Sequence, residues 1–151
     1  MRLAIERALA HLELREGGPF GACIVRDSEV LALAHNTVLK CADPTCHAEI
    51  NAIREASQRL RTHDLSGCQL YSTTEPCPMC FSAIHWARLD RVIYGTAIRD
   101  VKRLGFHELE VSNRQLKRLS GSPLAIHRHF LRRECRSLLE RWRQMPDRQV
   151  Y

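Results

Sequence analysis

No apolar run in this chain approaches the ~20 residues needed to span a bilayer, which excludes a helical membrane span. Met1 to Glu16 mixes apolar and charged side chains at helical spacing, so it does not read as a secretory leader. Glycine (7) and proline (6) are scarce among the 151 residues, which sets aside collagen-like and low-complexity classes. There is no internal repeat and no linker-like stretch, so repeat architectures are excluded too. What remains is a globular chain, 44% hydrophobic and 26% charged. It is expected to form one domain, residues 1–151, with a real core, in the cytoplasm and away from membranes.

Cysteine is not scarce. The seven residues are Cys23, Cys41, Cys46, Cys68, Cys77, Cys80 and Cys135, an odd count in a chain longer than most disulfide scaffolds. Only Cys77 and Cys80 form a close pair; the other five read as free thiols. Charge is uneven. Residues 1–98 carry ten Lys+Arg against eleven Asp+Glu, and residues 99–151 carry thirteen against six. A basic C-terminal third suits either an anionic partner such as nucleic acid or the wet face of a helix.

The pattern alternates helix and strand. Met1 to Arg15 places Leu3, Ile5, Ala8, Leu9 and Leu12 at helical spacing, and Gly17-Gly18-Pro19 stops it. Phe20 to Arg26 and Val30 to His35 read as strands joined by a hairpin at Asp27-Ser28-Glu29. Helices are expected over Cys46 to Leu60, Pro78 to Arg88 and Leu131 to Arg143, with a short one at Asn113 to Leu119. Strands are expected over Gln69 to Thr73, Arg91 to Gly95 and Leu124 to His127, with a loop after Asp100. This order argues for an α/β layered domain.

The chemistry gathers at two helix starts. His47-Ala48-Glu49 follows Asp43-Pro44-Thr45-Cys46, and Pro76-Cys77-Pro78-Met79-Cys80 follows a strand. One imidazole and two thiolates make a three-ligand set for Zn²⁺ that leaves a fourth position open for water or hydroxide. A structural site would be expected to have a fourth protein ligand, and no second Cys-x-x-Cys exists. Thiols in the first turn of a helix are favoured as thiolates by the dipole and the unpaired N–H groups, and Pro78 suits that turn. Glu49, two residues from the histidine, is positioned to carry protons. Glu75 is a rival carboxylate, whose plainer role is to hold the start of the helix.

His-x-Glu followed by Pro-Cys-x-x-Cys is the signature of zinc nucleobase deaminases. Gly17-Gly18-Pro19-Phe20-Gly21-Ala22, Asp43-Pro44-Thr45 before His47-Ala48-Glu49, Glu75 to Cys80 and Ala83-Ile84-His85-Trp86-Ala87-Arg88 resemble bacterial guanine deaminases of the cytidine deaminase-like superfamily. The likeness runs over most of residues 1–106 and returns at Trp142-Arg143 and Tyr151. It implies a three-layer α/β/α fold, a mixed five-stranded sheet with helices on both faces. It also implies His47, Cys77 and Cys80 as ligands of one zinc per subunit, with Glu49 as acid and base. Substrate contacts would come from Asn36, Ala48, Phe20, Trp86, Glu108 and Tyr151. Asn36 would hydrogen-bond the base or simply close a turn, and Trp86 would wall the ring or pack in the core. Phe20 would line the pocket or seal the sheet. In that family the C-terminal segment is exchanged between two subunits, so the resemblance implies a homodimer in which Tyr151 closes the partner's site.

The chain departs from that family in two places. His107-Glu108 replaces an acidic pair after Gly105-Phe106, leaving Glu108 alone to read the purine edge. Phe130 to Arg143, especially Glu134-Cys135 followed by Leu138-Leu139, is more similar to the last helix of bacterial tRNA adenosine deaminases. Guanine to xanthine plus ammonia is therefore the first expected reaction. Adenosine to inosine in tRNA is the second, and a related small heterocycle or nucleoside remains open. A noncatalytic zinc protein that binds nucleic acid leaves Glu49 and the open metal position without a purpose.

Overall fold

In a computed structural model describing residues 1–151, the expected layers are present. Helix α1 (Arg2–Leu12) precedes strands β1 (Gly21–Arg26) and β2 (Glu29–His35). A single turn of helix, α2 (Val38–Cys41), leads to α3 (Ala48–Leu60), and β3 (Gln69–Thr74) then feeds α4 (Pro78–Trp86) and β4 (Arg91–Thr96). The chain continues through α5 (Ile98–Lys102), α6 (Asn113–Ser120), β5 (Ala125–His127) and α7 (Arg132–Arg143). The short helices α2 and α5 are not foreseen in the sequence, because four or five residues hold too little periodicity to register.

The sheet runs in the order β2-β1-β3-β4-β5. Strand β1 is antiparallel to both β2 and β3, whereas β3, β4 and β5 are mutually parallel. Asp27 and Ser28 close the β1–β2 hairpin with φ of 47° and 67°, the backbone that matches strand twist in a two-residue turn. In β4, every residue from Val92 to Thr96 is buried, as expected of a parallel strand covered on both faces.

Helices α3, α4 and α6 cover one face. Ala48, Ala52 and Ala56 form the inward stripe of α3, and these small side chains let the helix lie close to Ala22, Ile24 and Leu70. Helices α1 and α7 cover the other face, where Ile5, Ala8 and Leu12 meet Leu138, Leu139 and Trp142. Gly95 makes that seating possible, since a Cβ there would collide with Cys135 Sγ. The free thiol of Cys135 is pushed up to about 12 by burial, and all seven cysteines are unpaired, as their spacing suggested. Both cysteine and histidine motifs emerge at the carboxyl ends of the parallel strands, where α/β sheets open a crevice for ligands.

Candidate active site

His47 and Cys77 are the residues that begin α3 and α4, and both have extended backbones (ψ of 155° and 168°). Pro78 occupies the first turn of α4, where its missing N–H removes no helical bond. The two helix starts face each other, so His47 Nδ1 lies 3.7 Å from Cys77 Sγ and 3.6 Å from Cys80 Sγ. A tetrahedral zinc with ordinary Zn–S and Zn–N bonds spaces nitrogen and sulfur about 3.6 Å apart. The donor set thus fits zinc in chemistry and in spacing, and the three donor atoms all fall within 4.8 Å of one another.

Electrostatics favour metallation. Cys77 is drawn down to about 4, first by its hydrogen bond with Cys80 and then by His47. Cys80 moves the opposite way for the same reason, with burial adding to the shift. Burial pulls on the His47 imidazole, but the bond to Cys77 and the nearby carboxylates outweigh it and raise the ring above its ordinary value. Glu49 is buried and raised by that burial. Its Oε1 accepts a 2.8 Å bond from Ser72 Oγ, and its Oε2 lies 3.5 Å from Cys80 Sγ. Ser72 lies beyond what sequence reasoning reaches: one serine in a strand carries no signal until register aims it at the helix opposite.

Asn36 sits just past β2, where it is almost fully buried (1% exposed). Its Oδ1 accepts from Gly18 N at 3.3 Å, Val38 N at 3.1 Å and Tyr151 Oη at 2.6 Å. Three donors fix the amide orientation, and they leave the buried Nδ2 without a partner. Gly17 is required beside it, since a Cβ would strike Asn36 Oδ1. Glu16 anchors this loop between His35 Nε2 (2.6 Å) and Lys40 Nζ (2.8 Å).

One cavity of about 20 Å³ gathers Phe20, Asn36, His47, Glu49, Cys77 and Glu108, with Thr74 and Glu75 on its wall. Phe20 both lines this cavity and packs edge-on against Phe106 at 5.1 Å, so its two anticipated roles coexist. Glu75 is the clamp and not the rival: Tyr94 Oη (2.9 Å), Ile98 N (3.3 Å) and Asn113 N (2.9 Å) all donate to it.

One expectation needs correction. Trp86 does not wall the cavity, nor does it pack in the core; it is 78% exposed at the far end of α4. The helix advances about 1.5 Å per residue and turns its 80, 81 and 84 positions inward, which leaves position 86 facing out. The side chain of Ala48 belongs to the core, so a contact from this residue would come from its backbone N–H in the first turn of α3. Tyr151 lies beside the cavity of its own chain in the single chain described, next to Asn36. Its hydroxyl accepts from Gly18 N at 3.1 Å and donates to Asn36, and its ring meets Phe106 edge-on at 5.4 Å.

Glu108 is pushed up to about 7, chiefly by burial, with Cys77 and Glu49 adding like charge. In the metal-free protein the folded state therefore holds more protons than the unfolded state between its ordinary 4.5 and about 7. Stability due to this group is present below that window and declines as pH rises through it. Glu108→Gln should remove the decline, so its melting temperature gains on the parent from about pH 5 to about pH 8. A constant gap across paired thermal melts would dismiss the assignment.

The comparisons with known proteins agree with this geometry. The family profile described as the cytidine and deoxycytidylate deaminase zinc-binding region matches residues 1–96. Guanine deaminase of Bacillus subtilis (strain 168) is 34% identical over 151 residues, covering 100% of this chain and 96% of that protein. A tRNA-specific adenosine deaminase of Buchnera aphidicola subsp. Schizaphis graminum is 32% identical over 139 residues, covering 92% and 88%. Among solved structures, a guanine deaminase from Nitrosomonas europaea superposes with a TM-score of 0.84 at 27% identity, covering 94% of this chain and 81% of that one. A structure from work on tRNA:A34 deaminases and A-to-I editing superposes at 0.78 with 30% identity, covering 92% and 97%. The chain belongs to the cytidine and deoxycytidylate deaminase family and is a zinc-dependent hydrolytic deaminase acting on a nucleobase or nucleoside.

Proposed function

We propose that this chain converts guanine to xanthine and ammonia. The observation that carries the reading is the orphaned Nδ2 of Asn36, a buried donor in the same small cavity as the carboxyl of Glu108. An unpaired buried amide costs on the order of 1–3 kcal/mol, which a substrate acceptor would recover. The carboxyl of Glu108, whose protonated form is favoured by burial, is available to the other edge of a purine. Phe20 supplies apolar contact, and the Ala48 N–H supplies one further donor.

His47, Cys77 and Cys80 hold the zinc, which when bound acts as a Lewis acid that makes water nucleophilic near pH 7. The remaining work belongs to the chain. Glu49, held by Ser72, accepts the proton of the attacking water and delivers it to a ring nitrogen. It then takes the second proton from the hydroxyl now on C2 and gives it to the departing amine; the C–N bond breaks, a C=O forms, and guanine plus water become xanthine plus ammonia. Tyr151 braces Asn36 through its bonds to the amide oxygen and to Gly18 N, which keeps the free Nδ2 aimed at the substrate.

One observation favours a second reading. Helix α7 carries five arginines along with Cys135, Leu138 and Leu139, and a tRNA-specific relative also matches most of the chain. Ammonia release by the zinc-loaded protein from guanine, guanosine, adenine, cytosine, cytidine and an anticodon stem-loop decides between them. Guanine is expected to react fastest by at least about tenfold, since a site that pairs a polar edge strongly rejects analogues lacking it. Release from the stem-loop alone would replace guanine by adenosine in tRNA.

A further inference from the structure

Beside the zinc site, on the other side of Glu75, lies a separate cavity of about 290 Å³. Arg99, from the start of α5, Arg114, from the start of α6, and Arg128, just past β5, all line it, together with His129. Three elements distant in sequence thus bring three guanidiniums to one place. None of the three takes part in an ion pair. The two acids on the wall are already engaged: Glu110 pairs with Lys102 Nζ at 2.9 Å, and Glu75 accepts its three internal hydrogen bonds. The charges of Arg128 and Arg114 reach the hydroxyl of Tyr94, which burial otherwise holds well above its ordinary value.

Arg99, Arg114 and Arg128 are exposed around the cavity, where one anion can reach all three, and their forked donors match a tetrahedral oxyanion. The volume suits a phosphate or a phosphate ester more than a large ligand. We propose that Arg99, Arg114 and Arg128 form a phosphate-binding site next to the nucleobase pocket, with His129 at its rim. Because Glu75 lines both cavities, a phosphate here is one side chain away from the base site. The phosphate is either free or carried by a nucleotide whose base enters that site. The assignment does not depend on which base is deaminated.

Isothermal titration of the zinc-loaded protein with inorganic phosphate, at constant ionic strength set by chloride, tests it without any turnover. Saturable binding is expected in the parent, weakened at least about tenfold in Arg114→Ala/Arg128→Ala, because charge-assisted bonds are the strong ones. Arg133→Ala/Arg136→Ala removes the same charge from exposed positions on α7 and should leave phosphate affinity unchanged. An absence of saturable binding in the parent overturns the proposal, as does an equal loss in both variants. Guanosine 5′-monophosphate separates the two sources. Tighter binding than phosphate, with the advantage lost in Asn36→Ala, assigns the site to a nucleotide. Equal affinity assigns it to free phosphate.

Discussion

Glu49→Gln should lower kcat by about 10²–10⁴-fold and leave one zinc per chain, because it removes proton transfer and nothing else. The substitution preserves shape in a pocket that leaves Glu49 6% exposed, and the amide can still pair with Ser72 Oγ. It also removes a carboxylate that burial had raised, so the melting temperature should hold or rise. KM should change little, since an interaction that matters only in the transition state affects kcat and kcat/KM together. Ammonia release, metal content and a thermal melt on one preparation suffice. A variant keeping more than about a tenth of the parent kcat would transfer the proton role elsewhere, with Glu108 the next carboxyl to test.

Stripping the metal should remove turnover entirely and restoring zinc should return it. Stability should move with it. Zinc at about a thousandfold over its dissociation constant stabilises the fold by roughly 4 kcal/mol. For a chain of this size that corresponds to a rise in melting temperature of about 8–16 °C. The physical reason lies in the two helix starts. His47 and Cys77 begin α3 and α4, and between the two sulfurs only Cys77 is drawn down, to about 4, while Cys80 keeps its proton. Metal binding releases that proton and replaces the long His47–Cys77 and His47–Cys80 contacts between the two helices with metal–ligand bonds. Unchanged melting after chelation would mean that the folded chain had held no zinc.

The metal ligands and Glu49 were legible because each lies inside a contiguous motif, where spacing alone fixes which way side chains share a helix turn. Most strands and long helices were legible for the same kind of reason, since period and punctuation act over neighbouring residues. What escaped depends on contacts between distant segments. Ser72 reaches Glu49 only because β3 pairs with β1 on one side and β4 on the other. The clamp role of Glu75 needs α5 and α6 folded over it. Trp86 was misplaced because the motif that contains it says nothing about how far the helix carries its last turn from the metal. The Asn36 amide was found, but that its oxygen would be saturated three times over was not, since two of the donors come from Gly18 and Tyr151.

The chain end has a consequence for how the site is braced. Tyr151 holds Asn36 Oδ1 and Gly18 N through its hydroxyl, and its carbonyl oxygen accepts from His107 N, the residue before Glu108. Asn36 and Glu108 both line the small cavity, from segments far apart in the chain. One terminal residue thus ties two of its walls together, and a shift of the last few residues would be felt at both.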